Sequence, residues 1–151
     1  MKFRILSIAA LAATLALATP SLAVDTGGGS NNFSVNDSMQ DARGQIRNQR
    51  WAEAIGTLRL VLEAEPNNAD ANNLMGYSLR KSGKMQRAEG FYLKALKLSP
   101  KHKGANEYLG ELYVETGNLA KAKARLEALQ AICGTGCEEY RDLKAAIDKA
   151  S

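Results

Sequence analysis

Residues 69–102 read ADANNLMGYSLRKSGKMQRAEGFYLKALKLSPKH, and their apolar side chains recur at helical spacing in two separate segments. The first segment ends near Gly83, because glycine permits the positive φ that a turn between two helices often needs. The second segment ends before Pro100, because proline cannot continue a helix and restricts the residue before it. The i, i+3, i+4, i+7 spacing of the second segment predicts an amphipathic helix with these apolar residues: Met85, Ala88, Phe91, Tyr92, Ala95, Leu96 and Leu98.

The same pattern recurs along the chain every 34 residues. Small residues at two of the recurring positions predict that two helices cross closely there, since a larger side chain would push the pair apart. The result is an antiparallel helix pair that is repeated and stacked. The matching positions are Ala42, Gly76 and Gly110; Ala54, Ala88 and Ala122; Leu58, Tyr92 and Leu126; Trp51, Met85 and Leu119; Gly83 and Gly117; and Pro66 and Pro100.

On these residues the chain resembles the tetratricopeptide repeat family. The resemblance rests on Met75-Gly76, Leu79, Ala88, Tyr92 and Pro100 in one repeat, and on Leu109-Gly110, Tyr113, Ala122 and Leu126 in the next. It implies an all-α, right-handed α-solenoid of three 34-residue helix-turn-helix repeats at 35–68, 69–102 and 103–136. The first repeat departs most from the family pattern, with Asp41 and Gln45 at positions that are usually apolar, and Gly134 replaces the proline of the third.

Residues 137–151 are predicted to form a capping helix, with one apolar stripe of Tyr140, Leu143, Ile147 and Ala150. Thr135 and Glu138 have the spacing of a capping box at its start.

The N-terminal segment has the pattern of a cleaved secretory signal. Residues 1–23 contain a basic start, an apolar run and small residues before Ala23, after which cleavage is expected. The apolar run is too short to span a bilayer comfortably, although an uncleaved anchor is the alternative. Residues 24–34 form a glycine-rich segment that is expected to be a flexible tether. The mature protein is therefore expected in the periplasm without stable membrane insertion.

The composition excludes several classes of function. A chain of 151 residues fits one domain or a short array of repeats. Without Lys2 and Arg4, the 20 basic residues become 18 against 16 acidic ones, so a nucleic-acid partner is not expected. No GxSxG, Walker or HExxH motif occurs, and the single His102 is expected in a solvent-facing turn. We therefore expect no enzyme, no catalytic residue and no cofactor.

Cys133 and Cys137 are the only cysteines. In an oxidising compartment they are expected to form a structural disulfide that ties the turn before the capping helix. The alternative is a redox-active pair, because Cys137 would lie near a helix N-terminus where a thiolate is favoured. A zinc site normally needs at least three protein ligands, and no CxxCH haem motif is present, so no metal site is expected.

The resemblance also implies a concave groove that is lined by the first helix of each repeat. Its N-terminal half would be basic and its C-terminal end acidic, although these charges could instead only solvate the surface. The family's carboxylate clamp is not matched, since Met39, Arg43, Gly104 and Tyr108 stand at its positions. The implied protein-binding residues are Asn36, Met39, Arg43, Arg47, Asn73, Tyr77, Arg80, Lys81, Glu107, Glu111 and Glu115.

Trp51 matches Met85 and Leu119 in the repeat, so we expect it in the core rather than in contact with a ligand. Taken together, the sequence predicts a periplasmic interaction module that binds a protein segment in its groove, as adaptor or assembly factor of an envelope complex. The alternatives are a thiol-redox module that uses Cys133 and Cys137, and a structural protein that self-associates as a homo-oligomer.

Overall fold

The computed structural model describes residues 34–151, which form seven α-helices and contain no strand. The predicted all-α repeat fold is therefore confirmed for this part of the chain. The predicted signal peptide and residues 24–33 of the predicted tether lie outside the described residues. The helices are α1 (Val35–Arg47), α2 (Trp51–Ala64), α3 (Ala69–Lys81), α4 (Met85–Leu98), α5 (Lys103–Glu115), α6 (Leu119–Cys133) and α7 (Glu138–Ala150).

Side-chain caps recur at the start of each repeat with the same spacing as the apolar residues. Ser34, Asn68 and His102 are the N-caps of α1, α3 and α5, and each accepts a hydrogen bond from the backbone N–H three residues later. His102 is therefore not the solvent-facing turn residue that we expected. Its Nδ1 accepts from Ala105 N at 3.1 Å, and its Nε2 lies 3.0 Å from Oδ1 of Asp70.

The turns inside the helix pairs have a common backbone conformation. Gly83 and Gly117 both have φ of 75°, which a glycine adopts without steric cost. The equivalent position of the first repeat is Gln49, a non-glycine residue with φ of 56°. The first turn therefore stores conformational strain that the other two avoid.

Glycines allow the close approach of helices at the core. A Cβ on Gly76 would lie 2.7 Å from two carbons of the fully buried Tyr92 ring, which packs α4 against α3. A Cβ on Gly110 would overlap the side chain of Leu143, which packs α7 against α5. These two contacts explain why the small residues recur at 76 and 110.

The last helix covers the open end of the third repeat with Leu143 and Ile147, both of which are buried. The predicted capping box is wrong. The N-cap of α7 is Cys137, it makes no side-chain cap hydrogen bond, and Thr135 is exposed. Two acidic residues in the first turn, Glu138 and Glu139, complement the helix dipole instead.

Candidate protein-binding groove

The structure divides the predicted groove residues into three groups. Five are exposed, namely Asn36, Arg43, Arg47, Lys81 and Glu115, and two are half-buried, namely Tyr77 and Glu111. The remaining four are buried: Met39, Asn73, Arg80 and Glu107. Met39 belongs to the hydrophobic core and is not a groove residue as predicted, because α1 has few other apolar side chains with which to dock on its neighbours.

A row of three half-buried aromatic rings joins neighbouring repeats: Trp51 at the start of α2, Tyr77 of α3 and Tyr108 of α5. The ring centroids of Trp51 and Tyr77 lie 6.0 Å apart in an edge-on arrangement. Those of Tyr77 and Tyr108 lie 4.8 Å apart, and Tyr92 follows at 6.4 Å from Tyr108. Edge-on and tilted contacts of this kind are favourable for aromatic pairs. Tyr92 is fully buried, whereas Trp51, Tyr77 and Tyr108 keep part of their surface exposed.

Trp51 is not a core residue, contrary to the prediction. Its side chain is half-buried, and it lines a cavity of about 420 Å³ at the end of α1. Trp51 and Met85 occupy the same position in the 34-residue repeat, so the repeat predicts where Trp51 lies on its helix. It does not predict which residues from other helices surround the side chain. The other residues that line this basic cavity are Ile46, Arg47, Gln49, Tyr77 and Lys81.

Arg80 lies at the centre of the groove but is not available to a partner. Only 4% of the residue is exposed. Its guanidinium donates to Glu111 Oε2 at 2.5 Å and to Glu115 Oε1 at 2.6 Å. The guanidinium carbon also lies 5.5 Å from the centroid of Tyr77 and 5.9 Å from that of Tyr108. Arg80 therefore joins α3 to α5 and pairs with two of the predicted acidic groove residues, Glu111 and Glu115.

Beyond Arg80, the surface opens into an acidic cavity of about 220 Å³ between α5 and α7. Glu107 is its most buried acidic residue. Burial, together with the charges of Glu111, Asp142, Glu139 and Glu138, raises the pKa of Glu107 to about 8. The cavity is lined by Gly104, Glu107, Tyr108, Glu138, Glu139 and Asp142.

The remaining predicted groove residues make few contacts of their own. Arg43 pairs with Asp70 at 3.5 Å on an exposed surface, a kind of contact that contributes little to stability. Lys81 lies 5.8 Å from the centroid of Tyr77. Sequence reasoning missed Trp51, Tyr108 and the three acids of α7, although their charge and aromatic character were visible.

The two cysteines lie at the corner between α6 and α7. Their Sγ atoms lie at 2.11 Å, as in a disulfide, and their Cα atoms are 5.9 Å apart, within the usual range for bridged cysteines. The disulfide itself stays a prediction. Glu139 places a carboxylate oxygen within 4.8 Å of both sulfurs, but paired sulfurs offer no thiolate to a metal ion.

The residues that match known protein families span these same helices. Two family models, both described as tetratricopeptide repeat, match residues 40–103 and 79–147. Superkiller complex protein 3 of Mus musculus is 34% identical over 89 residues, which are 59% of this chain and 6% of that protein. The chain therefore spans only a small part of the curated relative that it matches.

Solved structures share the fold at low sequence identity. The type III secretion chaperone SycD of Yersinia enterocolitica, in complex with a peptide of the translocator YopD, has a TM-score of 0.67 and 15% identity over 80% of this chain and 92% of that chain. The first repeat domain of Spaghetti (RPAP3), bound to the HSP90 peptide SRMEEVD, has a TM-score of 0.69 and 17% identity over 77% of this chain and 91% of that chain. At these identities the likeness is one of fold.

Proposed function

Because this chain belongs to the tetratricopeptide repeat family, we propose that it is an interaction module that binds an extended protein segment along its concave groove. The observation that carries the proposal is the row of Trp51, Tyr77 and Tyr108 with a cavity near each end. One cavity is basic and the other acidic, so a segment with an acidic part and a basic part fits the surface in one direction. Complementary charge of this kind supports specificity and association rate more than raw affinity.

The proposed location is the periplasm, where the protein would act as adaptor or assembly factor of an envelope complex. The support comes from residues 1–23, whose basic start, short apolar run and small residues before Ala23 are those of a cleaved signal. Within residues 34–151, no helix is long and apolar enough to cross a membrane. The proposed activity is binding, without catalysis. SycD and the Spaghetti domain are described with bound peptides, which supports a peptide partner.

The test is affinity capture from a periplasmic extract by the mature protein. The informative variant is Arg47→Glu with Lys81→Glu, because both side chains are exposed and line the basic cavity. The control is Lys97→Glu with Lys123→Glu, which makes the same charge change on exposed residues of α4 and α6. Arg80 is left unchanged, since its replacement would disturb the fold.

We expect a partner that the wild-type protein and the control retain and the cavity variant loses. A partner that all three proteins retain would place the binding surface elsewhere. If nothing is captured and light scattering shows a mass that rises with concentration, self-association replaces the proposal.

A further inference from the structure

The acidic cavity holds one buried acidic side chain, Glu107, that has no partner in the part of the chain that the structure describes. Glu107, Glu111 and Glu115 follow one another at every fourth residue on α5, where like charges repel. Arg80 pairs with the last two. Glu107 is 8% exposed, and within residues 34–151 its carboxylate has neither an ion pair nor a hydrogen bond. An unpaired charge in this position is costly, so the Glu107 carboxyl either holds its proton or pairs with a cation that enters the cavity.

The other acids around the cavity are only partly neutralised. Lys103 pairs with Glu139 at 3.0 Å. Among the described residues, no cation pairs with Glu138 or Asp142. The exposed Glu138 and Asp142 therefore give the cavity an excess of negative charge.

A second buried polar group without a partner lies beside the same cavity. Asn73 of α3 is 6% exposed, and its Oδ1 atom accepts no hydrogen bond within the described part of the chain. Its Nδ2 atom lies 3.3 Å from the position of a Cβ on Gly104, a residue that lines the cavity. Because buried polar groups are nearly always satisfied, an enclosed amide oxygen without a donor is an unusual feature next to the cavity wall.

The spacing of the carboxylates fits an organic cation better than a metal ion. Between residues 34 and 151, the one group of three metal-ligand atoms that lie within 4.8 Å of one another is Cys133, Cys137 and Glu139. Glu107, Glu138 and Asp142 do not converge in that way. A guanidinium or ammonium group on an aliphatic stem can instead contact acids at both ends of the cavity and the face of Tyr108.

We propose that this acidic cavity binds an arginine or lysine side chain of the partner segment. The proposal rests on the proposed function, and it identifies the basic anchor that enters between α5 and α7. The side chain supplies the cation that pairs with Glu107, the most buried acid of the cavity. The opposite end of the same segment lies over the basic cavity at Trp51.

The proton carried by Glu107 gives a second signature of binding. The neighbouring acids and burial raise the pKa of Glu107 to about 8, so its carboxyl is mostly protonated at pH 7. A bound cation lowers this pKa, and the carboxyl releases its proton. The groups that face Glu107 or its neighbours are Glu111, Tyr108 and Lys103 of α5, Glu138, Glu139 and Asp142 of α7, and Arg80 of α3.

The first experiment uses small probes on the full mature protein. N-acetyl-arginine amide is titrated into ¹⁵N-labelled protein, with N-acetyl-citrulline amide as its neutral counterpart. We expect saturable shifts of the amides of Gly104, Glu107 and Glu138 with the arginine probe and none with citrulline. Glu107→Gln is expected to weaken the binding about tenfold, because a charge-assisted hydrogen bond is lost. Glu127→Gln, an exposed acid of α6, is the matched control and leaves the binding unchanged.

Calorimetry in two buffers of different ionisation enthalpy is the second readout. At pH 7 the wild type releases protons on binding the arginine probe, and Glu107→Gln does not. Equal shifts with citrulline, or unchanged arginine binding by Glu107→Gln, would overturn the proposal. So would CaCl₂ if it shifted the same amides at lower concentration than the arginine probe.

The outcome is separable from that of the proposed function. If a captured partner is retained by both Glu107→Gln and Asp142→Asn, the proposed interaction module is supported, and the proposal that a basic side chain binds in the acidic cavity is overturned. If the arginine probe binds but no partner is captured, the proposal for the acidic cavity is supported and the proposed adaptor role is overturned.

Discussion

The guanidinium of Arg80 lies between two carboxylates and above two aromatic rings. Only 3% of its side chain is exposed, whereas the carboxyl groups of Glu111 and Glu115 are 26% and 42% exposed. Arg80→Met leaves these two acids one helical turn apart without a cation. We expect urea denaturation to show a loss of about 2–3 kcal/mol in the free energy of unfolding, somewhat less than for a fully buried pair.

Lys81→Met is the control, because Lys81 is exposed and the same charge is removed. A loss within about 0.5 kcal/mol is expected there. Adding Glu111→Gln and Glu115→Gln to Arg80→Met is expected to restore part of the stability. Equal losses for Arg80→Met and Lys81→Met would show that the buried ion pair is not what joins α3 to α5.

Glu107 makes the stability of the fold depend on pH. Its pKa rises from 4.5 to about 8 on folding, chiefly through burial. Between these values the folded chain holds a proton that the unfolded chain has lost, so the free energy of unfolding falls as the pH rises. The contribution is at most about 1.4 kcal/mol per pH unit. Glu107→Gln removes this slope.

The variant is therefore expected to be more stable than the wild type at pH 8 and similar to it at pH 5. Thermal unfolding of both proteins over pH 5–8 measures the difference, with Glu127→Gln as the charge control. If the unfolding temperatures of the wild type and of Glu107→Gln change equally with pH, the raised pKa of Glu107 is contradicted.

Because of helix packing, replacing glycine by alanine is expected to have opposite effects on stability in α3 and in α4. Gly76→Ala on α3 places a methyl group 2.7 Å from the Tyr92 ring, so we expect a loss of about 1–3 kcal/mol from overpacking. Gly90→Ala on α4 meets no atom within 4 Å, and alanine favours a helix by about 0.5–1 kcal/mol over glycine. In chemical denaturation, the free energy of unfolding should therefore fall for Gly76→Ala and rise for Gly90→Ala. A rise for both variants would show that α3 and α4 can separate without cost.

The corner between α6 and α7 is the element that the predicted disulfide would tie. Replacing Cys133 and Cys137 together by serine is expected to cost at most about 2 kcal/mol, because the closed loop is short. Alkylation of the protein, purified without reductant and then denatured, should find no free thiol. A pair that mild reductant opens in the native protein, together with an acidic thiol, would favour the redox alternative.

The helices could be predicted from the sequence because their signals are local and repeated. Gly83, Gly117 and Pro100 lie where helices turn or end, and the small residues at 76 and 110 lie where helices touch. Contacts between side chains of different repeats could not be predicted in this way. The pairs of Arg80 with Glu111 and Glu115 join residues 31 and 35 positions apart, and they depend on the register of two stacked helices.

The same limit applies to the candidate site. Charge along α5 indicated an acidic end of the groove, but the sequence does not show that one arginine pairs with two of its acids and leaves Glu107 without an ion pair among the described residues. The acids of α7 were not among the predicted groove residues. They join the cavity only because Gly110 lets Leu143 approach closely and so draws α7 onto α5.

At the scale of the whole molecule, the described helices contact only helices that are next or next but one along the chain. Such a stack opens from its ends, since an end helix has neighbours on one side only. α3 buries most of its residues, whereas α1 buries only Met39 and Ala42 and α7 only Leu143 and Ile147. Native-state hydrogen exchange should therefore show strong protection in α3 and weak protection in α1 and α7.

A pair of core substitutions sharpens this expectation. Met39→Ala removes the main apolar anchor of α1 and is expected to raise exchange in α1 while leaving α5 unchanged. Leu109→Ala, in the buried face of α5, is expected to raise exchange in α5 and in the four helices that contact it, namely α3, α4, α6 and α7. Uniform changes in both variants would mean that the chain unfolds as one cooperative unit. In that case the groove would keep both of its ends whenever the protein is folded, and partner binding could not be regulated by loosening α1 alone.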